Sequence, residues 1–231
     1  MAKDRKQEES KKAAALAAVR EVRGNMKLGL GTGSTVNYFI EELGKKKFPG
    51  SVVASSKSTE QLAKKMGLNL KTLDEVAKDA RGGEEGQTLL DLYVDGADEV
   101  DPTYNLIKGG GGALTREKVV ASASAEFICI VDESKKVKKL GKFPLPVEVL
   151  PFAKAYVEFE LRELGAQVKE RAKFITDNGN IILDVSGLDF SDPLQLETEL
   201  NNIPGVVENG IFSVRQPERV LVGKDGRAEY M

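Results

Sequence analysis

The chain has 231 residues with 41% hydrophobic and 30% charged content, and its formal net charge of −2 gives no electrostatic reason to expect nucleic acid or anionic lipid as a partner. It contains no histidine, which excludes histidine as a general base, as a metal ligand and as a member of a nucleophilic triad. Acid–base chemistry near neutral pH must therefore use carboxylates, lysines, tyrosines or the single cysteine, Cys129.

Apolar strand patterns alternate with helical patterns over the first 142 residues. The periodicity predicts helices at residues 7–22, 34–43, 59–66 and 115–125, and strands at residues 26–30, 51–54, 90–94 and 127–131. Residues 78–87 are polar, include three glycines and are predicted to form a surface loop. This alternation indicates an α/β domain whose open sheet is built from parallel strands and crossover helices.

The pattern changes after the proline-bearing segment at residues 143–151. Helices are predicted at residues 153–164 and 194–200, and strands around Val168 and at residues 206–213, with a possible hairpin at residues 177–180. This order fits a smaller α+β domain of the ferredoxin-like β-α-β-β-α-β type. A last strand at residues 219–223 is expected to return to the first domain, so we expect domains at 1–142 plus 218–231 and at 143–217.

The first segment that carries chemistry is GLGTGSTV, residues 29–36, where a strand runs through glycines into a helix. Backbone amides near Gly33 and the hydroxyls of Thr32, Ser34 and Thr35 would suit a phosphate at the helix N-terminus. The alternative is a tight turn with ordinary helix caps. A dinucleotide fingerprint is excluded because Ser34 replaces its third glycine, and a P-loop is excluded because no Gly-Lys-Ser/Thr follows.

The second segment is YVDGADEVD, residues 93–101, which places two aspartates after a predicted strand. Asp95 and Asp98 are separated by the small residues Gly96 and Ala97. Carboxylates at the C-terminal end of a parallel strand lie where open α/β sheets bind ligands. An acidic turn without a ligand and a magnesium site are the alternatives.

The third segment is IKGGGGALTREK, residues 107–118. Its four consecutive glycines cost conformational entropy, which indicates a backbone that must wrap closely around a small ligand. Lys108 precedes the glycines, and Glu117 falls in the first turn of the next predicted helix. A glutamate there is common because it complements the helix dipole, but its combination with Lys108 and the glycines favours a catalytic loop.

With these three segments, the sequence resembles the ribose-5-phosphate isomerases of the A type. The resemblance continues through VDESK (131–135), PVEVLPFA (146–153), TDNGN (176–180) and IPGVVENGIF (203–212), and so covers nearly the whole chain. It implies a Rossmann-like open parallel sheet with a smaller α+β domain, usually assembled as dimers or tetramers. It implies no metal and no cofactor.

The resemblance also implies roles for individual residues. Glu117 matches the family's proton acceptor, and Lys135 and Lys11 match lysines near the substrate. The remaining positions match the phosphate-side loop (Thr32, Gly33, Ser34, Thr35), the sugar-contacting acidic loop (Asp95, Gly96, Ala97, Asp98) and the second substrate loop (Lys108, Gly109, Gly110, Gly111).

These residues suit the interconversion of ribose 5-phosphate and ribulose 5-phosphate through an enediolate. Glu117 would move a proton between C1 and C2, and Lys108 with loop amides would stabilise the charge that develops on oxygen. Asp95 is the first choice to move the second proton between the two oxygens, and Asp98 would bind hydroxyls or assist ring opening. Sequence alone does not divide the roles of the two aspartates.

Two other functions are compatible with parts of the pattern. Coenzyme A transfer on a related fold would use a glutamate nucleophile, but it needs room for a pantetheine arm. A sugar-phosphate sensor would keep the phosphate-binding turns, but it normally carries a DNA-binding module, and the N-terminal segment predicts a single helix.

Location is predicted from the same sequence. No apolar run approaches the roughly 18 residues of a membrane span, and the mixed-charge start MAKDRKQEESKKAAAL lacks the features of a secretory signal. Cys129 has no second cysteine with which to form an internal disulfide. We therefore expect a cytoplasmic protein without a membrane partner.

Overall fold

A computed structural model describes residues 2–79 and 88–231. The helices are α1 (Ala2–Glu21), α2 (Ser34–Lys45), α3 (Lys57–Lys65), α4 (Leu73–Asp79), α5 (Leu114–Ser122), α6 (Lys154–Glu163) and α7 (Pro193–Asn201). The strands are β1 (Leu28–Leu30), β2 (Ser51–Ala54), β3 (Asn69–Leu70), β4 (Leu90–Asp95), β5 (Glu99–Val100), β6 (Leu106–Ile107), β7 (Ser124–Asp132), β8 (Leu145–Val149), β9 (Gln167–Glu170), β10 (Ile181–Ser186), β11 (Val206–Asn209), β12 (Ile211–Phe212), β13 (Arg219–Lys224) and β14 (Arg227–Tyr230).

The chain forms two compact units. The first comprises Met1–Gly96, Val119–Ser134 and Pro217–Met231, and the second comprises Ala97–Lys118 and Lys135–Gln216.

A seven-stranded sheet organises the first unit. Its strand order is β14-β13-β7-β4-β1-β2-β3, and every pair is parallel except β13 with β14. Helices α1 and α2 pack their apolar faces on this sheet. Ala14 of α1 and Phe39 and Ile40 of α2 lie in the same core cluster as Leu28 and Leu30 of β1. The predicted open parallel sheet is confirmed, and the predicted last strand does join this sheet, as β13 beside β7.

A four-stranded antiparallel sheet organises the second unit. Its order is β11-β8-β10-β9, with α6 between β8 and β9 and α7 between β10 and β11. This is the ferredoxin-like arrangement predicted from the order of elements. The core of the unit includes Val147 and Val149 of β8, Leu183 of β10 and Leu161 of α6.

A small third sheet makes the second unit larger than the domain expected from the sequence. Its order is β12-β6-β5 and all its pairs are antiparallel. Because β12 pairs with β6 and β6 with β5, the segment at 97–118 groups with the second unit. The segment at 135–142 also belongs to the second unit. Local patterns could not reveal this, since the pairing joins strands about a hundred residues apart.

Three local predictions were wrong. The strand predicted at 206–213 is two strands in different sheets, because residues 206–209 pair with β8 whereas residues 211–212 pair with β6. Gly210 lies between them and bonds to Lys108 and Pro146 through its main chain. The helix predicted at 115–125 ends at Ser122, and β7 begins at Ser124. The loop predicted at 78–87 is helical at its first two residues, and its remainder lies outside the described residues.

None of the helices within residues 2–79 and 88–231 is both long and apolar enough to span a membrane.

Candidate active site

In the first unit, the predicted phosphate turn opens α2. Gly33 occupies the N-cap position with φ 136°, and no side chain caps this end of the helix. The first turn contains no acidic residue, Gly33 and Ser34 are exposed, and Thr35 is buried. The first amides of α2 are therefore left for an anion, which the helix dipole also favours.

A cluster of hydroxyl groups supports this turn, and the sequence analysis missed it. The Thr32 hydroxyl lies 3.0 Å from the Ser55 hydroxyl, 2.8 Å from Ser56 and 3.2 Å from Thr59. The Thr59 hydroxyl also donates to the carbonyl of Gly31 at 2.8 Å. Because β1 and β2 are parallel neighbours, the segments that follow them meet at one edge of the sheet. The hydroxyl-rich run Ser55-Ser56-Lys57-Ser58-Thr59 was the signal available in the sequence.

Asp95 lies at the end of β4 and is completely buried. Its Oδ1 accepts the N–H of Thr32 at 3.0 Å and that of Gly96 at 2.7 Å, and its Oδ2 accepts the hydroxyl of Tyr93. A Cβ at Gly31 would approach the Asp95 carboxyl to 2.0 Å, which explains the glycine. Asp95 therefore holds the main chain of the phosphate turn through Oδ1, while the Tyr93 hydroxyl fixes its Oδ2.

Lys11 belongs to α1 in the same unit. Its ammonium lies 2.6 Å from Glu8 Oε1, and Glu8 Oε2 accepts the hydroxyl of Tyr38 on α2 at 2.8 Å. The Lys11 and Tyr38 donors hold the pKa of the Glu8 carboxyl below its usual range. Through Glu8, the Lys11 side chain is fixed beside the helix that begins at the phosphate turn.

In the second unit, the loop of four glycines at residues 109–112, called the glycine loop below, lies very close to neighbouring side chains. The N–H of Gly110 donates to Asp98 Oδ2 at 2.7 Å, and a Cβ on Gly110 would lie 2.7 Å from Asp98 Oδ1. Gly109 and Gly112 have φ of +99° and +76°, which other residues rarely adopt. Asp98 itself is partly exposed.

Two further residues of the second unit hold this loop and were not predicted. Arg171 Nη1 donates to the carbonyl oxygens of Gly109 and Gly110, each at 3.2 Å. The ring of Phe174 would lie 2.2 Å from a Cβ on Gly112, so this glycine makes room for the ring. Sequence patterns gave no signal for either contact, because both depend on the tertiary path of the connection between β9 and β10.

Lys108 and Glu117 form a buried ion pair. Lys108 Nζ lies 3.3 Å from Glu117 Oε2, and the two side chains are 3% and 4% exposed. The ammonium also lies 5.5 Å from the centre of the Phe212 ring. Glu117 sits in the first turn of α5, as predicted. The pair combines a carboxylate base with a cation that can stabilise a nearby oxyanion.

The predicted site residues therefore form one group in each unit. The first unit brings Thr32, Gly33, Ser34 and Thr35 together with Asp95 and Gly96, and holds Lys11 beside α2. The second unit brings Asp98, Lys108, Gly109, Gly110 and Glu117 together on one loop and the helix that follows it. It also contains Ala97, Gly111 and Lys135. Among the described residues, no three or more acidic or cysteine side chains form a group that could hold a metal ion.

Comparisons with known proteins give one consistent family. The family model described as Ribose 5-phosphate isomerase A (phosphoriboisomerase A) matches residues 51–227. Ribose-5-phosphate isomerase A of Acidithiobacillus ferrooxidans is 52% identical over 217 residues, which is 94% of each chain.

Solved structures agree. Ribose 5 phosphate isomerase A from Neisseria gonorrhoeae has a TM-score of 0.90 and 43% identity, covering 97% of this chain and 96% of that one. A D-ribose-5-phosphate isomerase in complex with phospho-erythronic acid has a TM-score of 0.88 and 40% identity, covering 97% and 98% of the two chains.

Proposed function

The chain belongs to the ribose 5-phosphate isomerase A family, and on that premise we propose that it interconverts D-ribose 5-phosphate and D-ribulose 5-phosphate through an enediolate, with Glu117 as the base. The observation that carries this assignment is the buried pair of Lys108 and Glu117. It supplies a proton acceptor and a fixed cation at the same place.

In the forward direction, ribose 5-phosphate carries its carbonyl at C1. Glu117 takes the proton from C2, and the electron pair of that C–H bond forms the C1–C2 double bond while the C1 oxygen becomes negative. Lys108 and the amides of the glycine loop stabilise this oxygen. A proton then passes from the C2 oxygen to the C1 oxygen, and Glu117 returns its proton to C1, which leaves the carbonyl at C2. No atom is gained or lost.

The phosphate is assigned to the start of α2 in the first unit. The uncapped helix N-terminus, the exposed Ser34 and the Thr35 hydroxyl support this role. Lys11, held beside α2 through Glu8 and Tyr38, supplies a cation for the same dianion. The ligand of one relative, phospho-erythronic acid, also joins a phosphate to a polyhydroxylated carbon chain.

The two aspartates receive different tasks. Asp95 is completely buried, and both of its oxygens accept hydrogen bonds from Tyr93 or from the main chain. It is therefore suited to holding the phosphate turn rather than to moving a proton, although it was the first choice from sequence. Asp98 is partly exposed and bonds to Gly110 in the glycine loop, which favours Asp98 as the group that carries the proton between the two oxygens.

A second copy of this chain is the proposed protein partner. Four large apolar side chains of the second unit are exposed close together in sequence: Leu150 at 48%, Phe152 at 101%, Tyr156 at 47% and Phe159 at 57%. Phe152, Tyr156 and Phe159 have the spacing of one helical face. Burial of such a face between identical chains would give a homodimer or contribute to a homotetramer.

The proposed location is the cytoplasm. The proposed reaction belongs to the non-oxidative pentose phosphate pathway and needs no metal or cofactor. Coenzyme A transfer and sugar-phosphate sensing are not favoured, because relatives at 52% identity and solved structures at 40% and 43% identity carry the isomerase name. A coupled assay that consumes ribulose 5-phosphate tests the proposal. Ribose 5-phosphate should be converted, and a protein that binds it without turnover would contradict the isomerase assignment.

A further inference from the structure

Glu148 is a buried carboxylate whose recorded partners are all neutral. It lies in β8 and is 0% exposed. Its Oε1 accepts the Thr176 hydroxyl at 2.8 Å and the Asn180 side-chain amide at 2.8 Å, and its Oε2 accepts the hydroxyl of Thr115. Within the described residues it takes part in no ion pair. A buried carboxylate without a cation is costly to keep, so its presence calls for a role beyond packing.

The carboxylate joins two segments that are far apart in sequence. Thr115 is the second residue of α5, whereas Thr176, Asn178 and Asn180 belong to the turn TDNGN between β9 and β10. The same turn contacts α5 a second time. Arg116 Nε donates to Asn178 Oδ1 at 2.8 Å, and Arg116 Nη2 donates to the carbonyl of Asp177 at 3.0 Å.

The two residues that follow in α5 are also held by separate elements. Glu117 pairs with Lys108. The Lys118 ammonium lies 2.7 Å from Glu197 Oε1 on α7 and 2.8 Å from Glu208 Oε1 on β11. Four consecutive side chains, Thr115 to Lys118, thus fix the first turn of α5 on all sides. A catalytic group requires such a rigid support, because a shift of about 1 Å can cost about a hundredfold in rate.

We propose that Glu148 is a positioning residue that sets the orientation of Glu117, acting through the hydroxyl of Thr115 and the turn at Thr176–Asn180. The inference rests on the proposed function of Glu117 as the base. It also assigns a role to the segments PVEV (146–149) and TDNGN (176–180), which contribute no group to the proposed reaction. Glu148 touches neither Glu117 nor Lys108 in any recorded contact, so its effect is transmitted by the first turn of α5.

The test removes the link at the α5 end, where the side chain is small and partly exposed. Thr115→Val keeps the shape and deletes the hydroxyl, and Glu148 keeps its donors Thr176, Asn180 and Asn178, whose Nδ2 lies 3.1 Å from Oε1. We expect kcat to fall about 10- to 100-fold with KM for ribose 5-phosphate nearly unchanged. Thr115→Ser restores the hydroxyl and should restore kcat. Thr198→Val on α7, which removes an exposed hydroxyl bonded to its own helix, is the matched control and should leave kcat unchanged.

A double variant separates this inference from the proposed function. In a Glu117→Gln background, Thr115→Val should cause little further loss of kcat, because the group it positions has gone. Normal kcat in Thr115→Val beside a strongly impaired Glu117→Gln would overturn the positioning role and leave the base assignment intact. An equal loss in both backgrounds, or a loss that Thr115→Ser does not reverse, would also overturn it. Near-normal kcat in Glu117→Gln would contradict both the assignment of Glu117 as the base and the positioning role of Glu148.

A variant at the other end of the link guards against misfolding. Glu148→Gln keeps the volume, its carbonyl can accept from Asn180 and Thr176, and its amide can donate to the Thr115 hydroxyl, which rotates. It should therefore fold and retain more activity than Glu148→Leu, which offers no acceptor. Equal and normal kcat in both folded variants would contradict the inference.

Discussion

Lys108 Nζ and Glu117 Oε2 lie 3.3 Å apart with both side chains almost completely removed from solvent. Two charges in such a place are each costly without the other. The glycines that follow Lys108 and the first turn of α5 that carries Glu117 are both fixed by hydrogen bonds within the second unit. The pair is therefore held ready before any substrate arrives, which is what a general base and an oxyanion-stabilising cation require.

Replacement of Glu117 by glutamine tests the base directly. Glu117→Gln keeps the size of the side chain and removes its basicity, so kcat should fall by about 10²- to 10⁴-fold in the coupled assay. Glu163→Gln, an exposed glutamate at the end of α6, is the matched control and should retain kcat. Near-normal turnover by a folded Glu117→Gln protein would remove Glu117 from the mechanism.

The phosphate turn is tested by comparing two sugars. Replacing Ser34 and Thr35 by alanine removes two hydroxyl donors at the start of α2. KM for ribose 5-phosphate should rise, whereas the binding of unphosphorylated ribose should change little, because only one of the sugars carries the dianion. Equal losses for the two sugars, measured by titration calorimetry and kinetics, would mean that this turn does not bind the phosphate.

The different surroundings of the two aspartates predict different kinetic defects. Asp98→Asn removes the proposed proton carrier, so kcat should fall at least about a hundredfold with a smaller change in KM. Asp95→Asn weakens the support of the Thr32 main chain, so it should act mainly on KM for ribose 5-phosphate and on Tm. If Asp95→Asn instead lowers kcat and Asp98→Asn mainly raises KM, Asp95 rather than Asp98 carries the proton between the two oxygens.

The general architecture could be predicted from sequence because it depends on local signals. Apolar periods of two and of about 3.6 residues gave the order of strands and helices, and that order fixed both the parallel sheet and the ferredoxin-like unit. The glycines and acidic residues at strand ends marked the loops that contain the candidate site. The family resemblance then gave roles to individual positions.

Contacts between distant segments could not be predicted in the same way. Arg171 reaches the carbonyls of Gly109 and Gly110, and Glu148 reaches Thr115, only through the tertiary fold. The division at Gly210 also depends on pairing with β8 on one side and with β6 on the other, rather than on the apolar pattern of residues 206–213. Polar residues that support a site carry no periodic signal, and they were missed for that reason.

The exposed aromatic face of the second unit predicts self-association. Phe152 is completely exposed, so its replacement by serine should cost the folded chain little, yet it should weaken any interface that buries this face. Light scattering coupled to gel filtration should show an oligomer for the parent and a shift toward monomer for Phe152→Ser. Tyr230→Ser, at an exposed aromatic on β14 of the first unit, is the comparison variant and should leave the mass unchanged. An unchanged oligomer in Phe152→Ser would place the interface elsewhere.

The route of the transferred hydrogen separates the enediolate mechanism from a metal-assisted hydride shift that gives the same product. Hydride-shifting isomerases use divalent metals, and such sites typically include histidine, which this chain lacks. A proton held on Glu117 can exchange with water before it returns to carbon. Turnover in heavy water should therefore place deuterium, at least partly, on the carbon that receives the proton, as measured by NMR of the product.

Dialysis against a chelator completes this experiment and should leave activity unchanged. Missing deuterium alone would not exclude the enediolate, because a well-shielded carboxylate can return the same proton. Loss of activity on chelation, its restoration by added metal and a product without solvent deuterium would together contradict proton transfer by Glu117. Deuterium in the product with full activity after chelation would contradict the hydride shift, because a hydride that moves directly between carbons never meets the solvent.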